Sequence, residues 1–141
     1  MKATIKQVSG LTLVGKASSN HWVPMDTVEE LNGQNAGTKP LELVLLGLGG
    51  CTSMDVISIL TKMRSPIKDF ELELEAEQAP QHPKVFTQIK MKYIFYGDKE
   101  KIKTKDIERA IELSESTYCS VSNMLAKAVT ITREYEIRDA K

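Results

Sequence analysis

Between residues 41 and 59 the chain is apolar on nearly every side, with Leu41, Leu43, Val44, Leu45, Leu46, Leu48, Met54, Val56, Ile57 and Ile59 leaving no polar stripe. A helix that is hydrophobic all round is buried all round, so this segment is expected to run through the middle of the fold. Thr38 can cap it, and Pro40 falls in the first turn, where a missing N–H does no harm. Gly47, Gly49 and Gly50 each cost about 1 kcal/mol relative to Ala inside a helix. Either they admit another backbone closely just before Cys51, or they break the helix there. Both readings put Cys51 in a tight spot. One small sheet cannot cover so apolar a helix, and a second subunit is expected to cover the rest.

The remaining composition bounds the answer. A chain of 141 residues is expected to form a single domain, residues 1–141. Lys+Arg 19 balance Asp+Glu 19, which gives no basic excess for phosphates and disfavours a nucleic-acid partner. The longest apolar run, 43–48, falls short of the roughly 20 residues a bilayer span needs, and the first residues carry no apolar core of a secretory signal. No membrane association is expected, and the expected compartment is the cytoplasm.

Elsewhere the pattern alternates between strands and short helices. Residues 2–8 and 11–15 flank Ser9-Gly10 as a hairpin, and 22–25 can form a third, short strand. Residues 32–38 carry no periodicity and read as a loop. Residues 70–77 alternate without a lapse, giving a half-buried strand with a carboxylate face, and 85–96 return with Ile89, Met91, Tyr93 and Phe95 on one side. Lys90 and Lys92 then oppose glutamates across the hairpin, so these charges belong to a solvated face. Ile107, Ala110, Ile111, Ser114 and Tyr118 fall at helical spacing after Thr104; Cys119 follows at that helix's end or at the start of another over 120–126, and a strand over 129–137 closes the chain. The order β-β-β-α-β-β-α-α-β implies an α+β fold with sheet packed on central helix.

Cys51 and Cys119 are the cysteines. In a reducing compartment they are inert, metal-bound or redox-active rather than a structural bridge. With only His21 and His82 beside them, they lack the close CxxC or HxxxH spacing of a zinc site, and neither a metal nor a bound cofactor is expected. Both thiols can be small buried hydrophobes. A reactive cysteine instead needs its thiolate stabilised: backbone N–H groups near the glycines would help Cys51, and Asp55, one turn on, would oppose it if it faces the sulfur. Thiolate attack on a peroxide gives a sulfenic acid that a second thiol condenses to a disulfide, which needs two cysteines from different elements and no metal. A cysteine hydrolase would need a histidine within reach, and His82 sits in a turn between Gln81 and Pro83.

The stretch Pro40-Leu41-Glu42-Leu43-Val44-Leu45-Leu46-Gly47-Leu48-Gly49-Gly50-Cys51-Thr52-Ser53-Met54-Asp55-Val56 resembles the signature of the OsmC/Ohr family of thiol-dependent peroxidases. The stretch Tyr118-Cys119-Ser120-Val121-Ser122-Asn123-Met124-Leu125 before a terminal strand is similar to its second motif, and the layout matches over nearly the whole chain. The resemblance implies an intertwined homodimer of α+β subunits, with antiparallel sheets packed on a long central helix and active sites at the subunit interface. It implies that Cys51 attacks organic hydroperoxides or hydrogen peroxide and that Cys119 resolves the product to an internal disulfide. An external dithiol, a lipoyl group in some members, would then reduce that disulfide. Glu42, nine positions before the attacking cysteine, takes the place of a glutamate that arranges the site. On a straight helix those nine residues advance about 13 Å and turn about two and a half times, so Glu42 would serve Cys51 only across a helix break or from the other subunit; the second is the expectation.

The chain departs from the family at one charged position. The peroxidases pair the glutamate with an arginine from the amino-terminal strands, and here no arginine precedes Arg64. Lys16 and Lys39 are substitutes without a two-pronged fork. Arg133 is a further candidate, with an ion pair at the rim of the sheet as its plainer role. Ser120 also stands where many members have proline. The competing expectation is therefore a non-enzymatic OsmC-like protein that binds a small apolar ligand or senses redox state.

Overall fold

Two three-stranded sheets and one long helix account for most of the computed structural model, which describes residues 1–140. The chain falls into two compact units, Met1–Leu46 and Gly47–Lys141.

In the first unit, β1 (Ala3–Ser9), β2 (Thr12–Ala17) and β3 (Val23–Met25) form an antiparallel sheet in that order. Gly10, at φ 55°, supplies the left-handed residue that turns β1 into β2. Pro24 is tolerated inside β3 because that short strand lies at the edge of the sheet, beyond β2, with a bridge from Met25 to Thr38 on its outer side. Asp26 ties down the loop that follows. Its carboxylate accepts hydrogen bonds from Thr12 Oγ1 at 2.7 Å and from the N–H groups of Thr27, Gln34 and Ala36 at 2.7, 3.3 and 3.2 Å. The Thr12 hydroxyl and these N–H groups hold the Asp26 carboxyl below its ordinary range, against the opposing effect of burial.

Helix α1 (Pro40–Lys62) begins at Pro40, so the flanking residue is Lys39 rather than Thr38. The capping contact comes from Glu42, whose Oε2 accepts the Lys39 N–H at 3.0 Å, the carboxylate half of a capping box. The helix is continuous through its glycines, which removes the break considered above. At Gly49 an added Cβ would lie 2.9 Å from Leu74 Cδ1, whereas at Gly47 and Gly50 it would meet nothing within 4 Å. Close approach thus holds at one glycine, against a side chain rather than a backbone.

The expected all-round burial of α1 is not met within one chain. Leu48, Gly49, Thr52, Val56 and Leu60 are buried along one face, while Leu46, Met54 and Ile57 are 62%, 75% and 47% exposed. By length and composition α1 could cross a bilayer, but its second half is the core helix of a folded unit.

In the second unit β5 (Phe86–Gly97) is central, between β4 (Ile67–Gln78) and β6 (Thr130–Arg138). Ile89, Met91, Tyr93 and Phe95 are fully buried on it, as the alternation anticipates, and Ile94 on the opposite face is fully buried as well. The antiparallel expectation holds for β4–β5 and fails for β5–β6, which run parallel. The reason is the connection: α2 (Thr104–Leu113), a π-helical turn (Ser114–Tyr118) and α3 (Ser120–Leu125) carry the chain back before β6 begins, as a parallel pairing requires. Glu73 and Glu75 lie opposite Lys92 and Lys90, although the ion pair Lys92 makes is with Glu136 of β6, at 3.1 Å.

Candidate dithiol site

The buried face of α1 carries one cysteine to the second. Cys51 is half-buried on α1, and Asp55 lies one turn later on the same side. Cys119 sits where the π-helical turn ends and α3 starts. Its N–H closes the turn on Ser114 O at 2.8 Å, and its extended backbone (φ −72°, ψ 97°) makes it the N-cap of α3. Such π-helical turns recur at functional sites because the wide turn re-aims a side chain. Here it aims a fully buried thiol at α1.

The two sulfurs and a carboxylate oxygen of Asp55 all lie within 4.8 Å of one another. Both thiols are free. Cys119 Sγ shares a 3.3 Å hydrogen bond with Thr52 Oγ1 and accepts the Ser122 N–H at 3.3 Å. Ser114 Oγ donates to Asp55 Oδ2 at 3.2 Å. Burial pushes the Cys119 thiol above its ordinary value and the neighbouring Cys51 adds to this, while the Thr52 hydroxyl and the Ser122 N–H pull the other way. A neutral buried sulfur beside a half-exposed one suits two unequal roles in thiol chemistry.

Behind Cys119 stands Arg133. Its guanidinium donates to Glu115 Oε1 at 2.7 Å, to Ser122 Oγ at 2.8 Å and to Ile131 O at 3.3 Å. The anticipated ion pair is there, together with a link to Cys119 through Ser122. The Tyr93 hydroxyl is buried without a hydrogen-bond partner. Burial pushes Tyr93 up to about 12, partly offset by the charge of Arg133. Beside the site a groove of about 410 Å³, lined by Asp55, Ile59, Met63, Leu113 and Tyr118 among others, reaches the cluster through Asp55 rather than through either sulfur.

The structure therefore brings Cys51 and Cys119 together and leaves Glu42 out of their cluster: on an unbroken helix it lies about 13 Å along the axis from Cys51, engaged by Lys39. Lys16 is occupied within the first sheet, donating to Asn20 Oδ1 at 2.7 Å and lying over the Trp22 ring at 4.8 Å. Thr52, Ser114 and Ser122 were not singled out as site residues in the sequence; the three-residue spacing of Ser122 from Cys119 is the signal that could have found the last.

An α+β fold with a long helix, whose sequence-distant free thiols meet at an α1–α3 contact, defines a dithiol protein. Residues 33–134 match the family described as OsmC-like protein. The chain is 40% identical over 137 residues to Protein YhfA of Escherichia coli (strain K12), a match covering 97% of this chain and 98% of that protein. The chain belongs to the OsmC/Ohr family. A hypothetical protein from Aquifex aeolicus VF5 superposes with a TM-score of 0.84 at 28% identity, covering 99% of this chain and 97% of that one. The organic hydroperoxide resistance protein OsmC from Legionella pneumophila superposes with a TM-score of 0.70 at 14% identity, covering 96% and 97%; this second likeness concerns the fold.

Proposed function

We propose that the protein is a cysteine-based peroxidase acting on organic hydroperoxides or hydrogen peroxide. The Cys51 thiolate attacks the peroxide, the O–O bond breaks, an alcohol or water leaves with a proton, and Cys51 becomes a sulfenic acid. The Cys119 thiol then displaces water from that sulfur to form the disulfide, and an external dithiol, of lipoyl type, returns two electrons and two protons. The observation that carries this reading is the meeting of the two free sulfurs within 4.8 Å. Half-exposure favours Cys51 as the attacking group and burial favours Cys119 as the resolving one. The apolar groove at Asp55 favours organic peroxides.

The working unit is a homodimer in the cytoplasm. Exposed Leu46, Met54 and Ile57 on α1 support a partner, since an apolar stripe of this kind marks an interface. Glu42 would then reach a thiol site from the other subunit. Added cumene hydroperoxide should remove two free thiols per chain, and a dithiol should restore turnover; a protein that consumes no peroxide at either stage is not this enzyme.

One observation favours a second reading. An Asp55 carboxylate oxygen lies within 4.8 Å of both sulfurs, where a peroxidase site would hold a positive group. A slow thiol redox sensor, or an OsmC-like protein holding a small apolar ligand in the groove, fits that charge. A binding protein of this kind would consume no peroxide, and Cys51→Ser would then change nothing.

A further inference from the structure

We infer that the reduced dithiol pocket is also a zinc site, with Cys51, Asp55 and Cys119 as its ligands. Two sulfurs and a carboxylate oxygen mutually within 4.8 Å nearly meet the spacing of three corners of a tetrahedron around one ion. Zn–S bonds of about 2.3 Å and Zn–O bonds of about 2.0–2.2 Å would draw the ligand atoms about 1 Å closer together, a change within the reach of side-chain rotation. Two thiolates select a soft or borderline ion and exclude magnesium and calcium, and the added carboxylate suits zinc. Three protein ligands leave a fourth position for water, and Asp55 also lines an adjoining groove.

The surroundings are those of a supported ligand set. Ser114 Oγ donates to Asp55 Oδ2 at 3.2 Å and so orients the carboxylate. The Ser122 N–H and the Thr52 hydroxyl hold Cys119 Sγ at 3.3 Å each. Contacts of this kind fix ligand direction in metal sites. Binding replaces the two thiol protons with one Zn²⁺, releases those protons to solvent, and moves no electrons. The sequence concealed the site because its ligands come from α1 and from the α3 start, without the short spacing that marks zinc motifs.

Binding has a consequence that, unlike binding itself, rests on the peroxidase reading. A sulfur pair held by zinc cannot attack a peroxide or close a disulfide, so zinc keeps the pair reduced and silent until it is removed.

The test uses the full chain, reduced with a phosphine and freed of metal, titrated with zinc chloride against a chromophoric chelator. One Zn²⁺ per chain is expected. Asp55→Asn, which keeps the shape of the side chain, should weaken binding by at least about tenfold, and Cys119→Ser by about a hundredfold or more, since even outer contacts to metal ligands are worth 10–100-fold. Cobalt substitution guards against misfolded variants: the wild-type chain should show sulfur-to-cobalt charge-transfer absorption and tetrahedral ligand-field bands. No stoichiometric binding, an Asp55→Asn chain with wild-type affinity, or a cobalt form without thiolate absorption each overturns the proposal. Thiol loss to cumene hydroperoxide, measured in parallel on metal-free protein, separates the two readings. Zinc binding without peroxide reaction leaves the site standing and removes the peroxidase, and the converse removes only the site.

Discussion

The two ends of the thiol pair are built differently. Cys51 rides on a regular helix, half-buried, with Asp55 one turn away on the same side. Cys119 is fully buried at a junction between a π-helical turn and α3, with Thr52 and Ser122 on its sulfur and Arg133 behind Ser122. The difference teaches that exposure and support have been divided. The half-buried sulfur of Cys51 is the more accessible of the two, and the fully buried sulfur of Cys119 carries the hydrogen bonds from Thr52 and Ser122. In the proposed cycle such a division would let the pair react at one end and close at the other.

The largest effect that can break this comparison comes from Cys51→Ser. It should reduce peroxide consumption by about a thousandfold or more, to near the uncatalysed background, as removing a nucleophile does; a stopped-flow assay that found Cys119 reacting alone at a comparable rate would reverse the roles. Cys119→Ser should instead leave the first attack intact and halt at one equivalent of peroxide, with a sulfenic acid on Cys51 trapped by dimedone and read by mass spectrometry. Consumption of a second equivalent, or no dimedone adduct on Cys51, would show that the roles are wrongly assigned.

Acidity sharpens the contrast next. The Cys119 thiol lies above its ordinary 9.0, mainly through burial, so disulfide closure should accelerate as pH rises toward and past that value. The stability linkage has a definite sign: folding favours the protonated thiol, so this contribution is complete below the unfolded thiol value and is lost as pH climbs through the raised folded one. Urea titrations of wild type and Cys119→Ser between neutral and alkaline pH should therefore diverge on the alkaline side. The smallest effect is expected of Arg133→Gln. Its link to Cys119 passes through Ser122, so closure should slow by less than about tenfold, an effect worth under 1.4 kcal/mol, with the first attack unchanged.

Much of the fold was legible because it rests on period. The unbroken alternation over 70–77 became β4, and the apolar face Ile89, Met91, Tyr93 and Phe95 became the buried face of β5. Strand direction was not legible, since alternation is the same whichever way a strand runs, and β6 lies parallel to β5. The burial of α1 was overstated for a related reason: apolar residues say that a face seeks cover, without saying which chain supplies it. At the site, the cysteines stood out by chemistry and by the family likeness. Thr52, Ser114 and Ser122 did not, because single hydroxyl residues carry no pattern until a turn brings them to a sulfur or a carboxylate. Arg133 was visible as a charge interrupting an apolar face, and its ion pair with Glu115 follows from that; its reach to Ser122 depended on the π-helical turn, which no propensity announced. Glu42, prominent in the family signature, caps the start of α1 by accepting the Lys39 N–H, and its role at a thiol site rests on the partner subunit proposed above.

The most direct test of the meeting of Cys51 and Cys119 is peptide mapping after one equivalent of cumene hydroperoxide, on a mixture of ordinary and ¹⁵N-labelled chains refolded together. The account predicts a Cys51–Cys119 cross-linked peptide that is either wholly light or wholly heavy. Mixed light–heavy peptides, or oxidation of each cysteine without a bond between them, would contradict it.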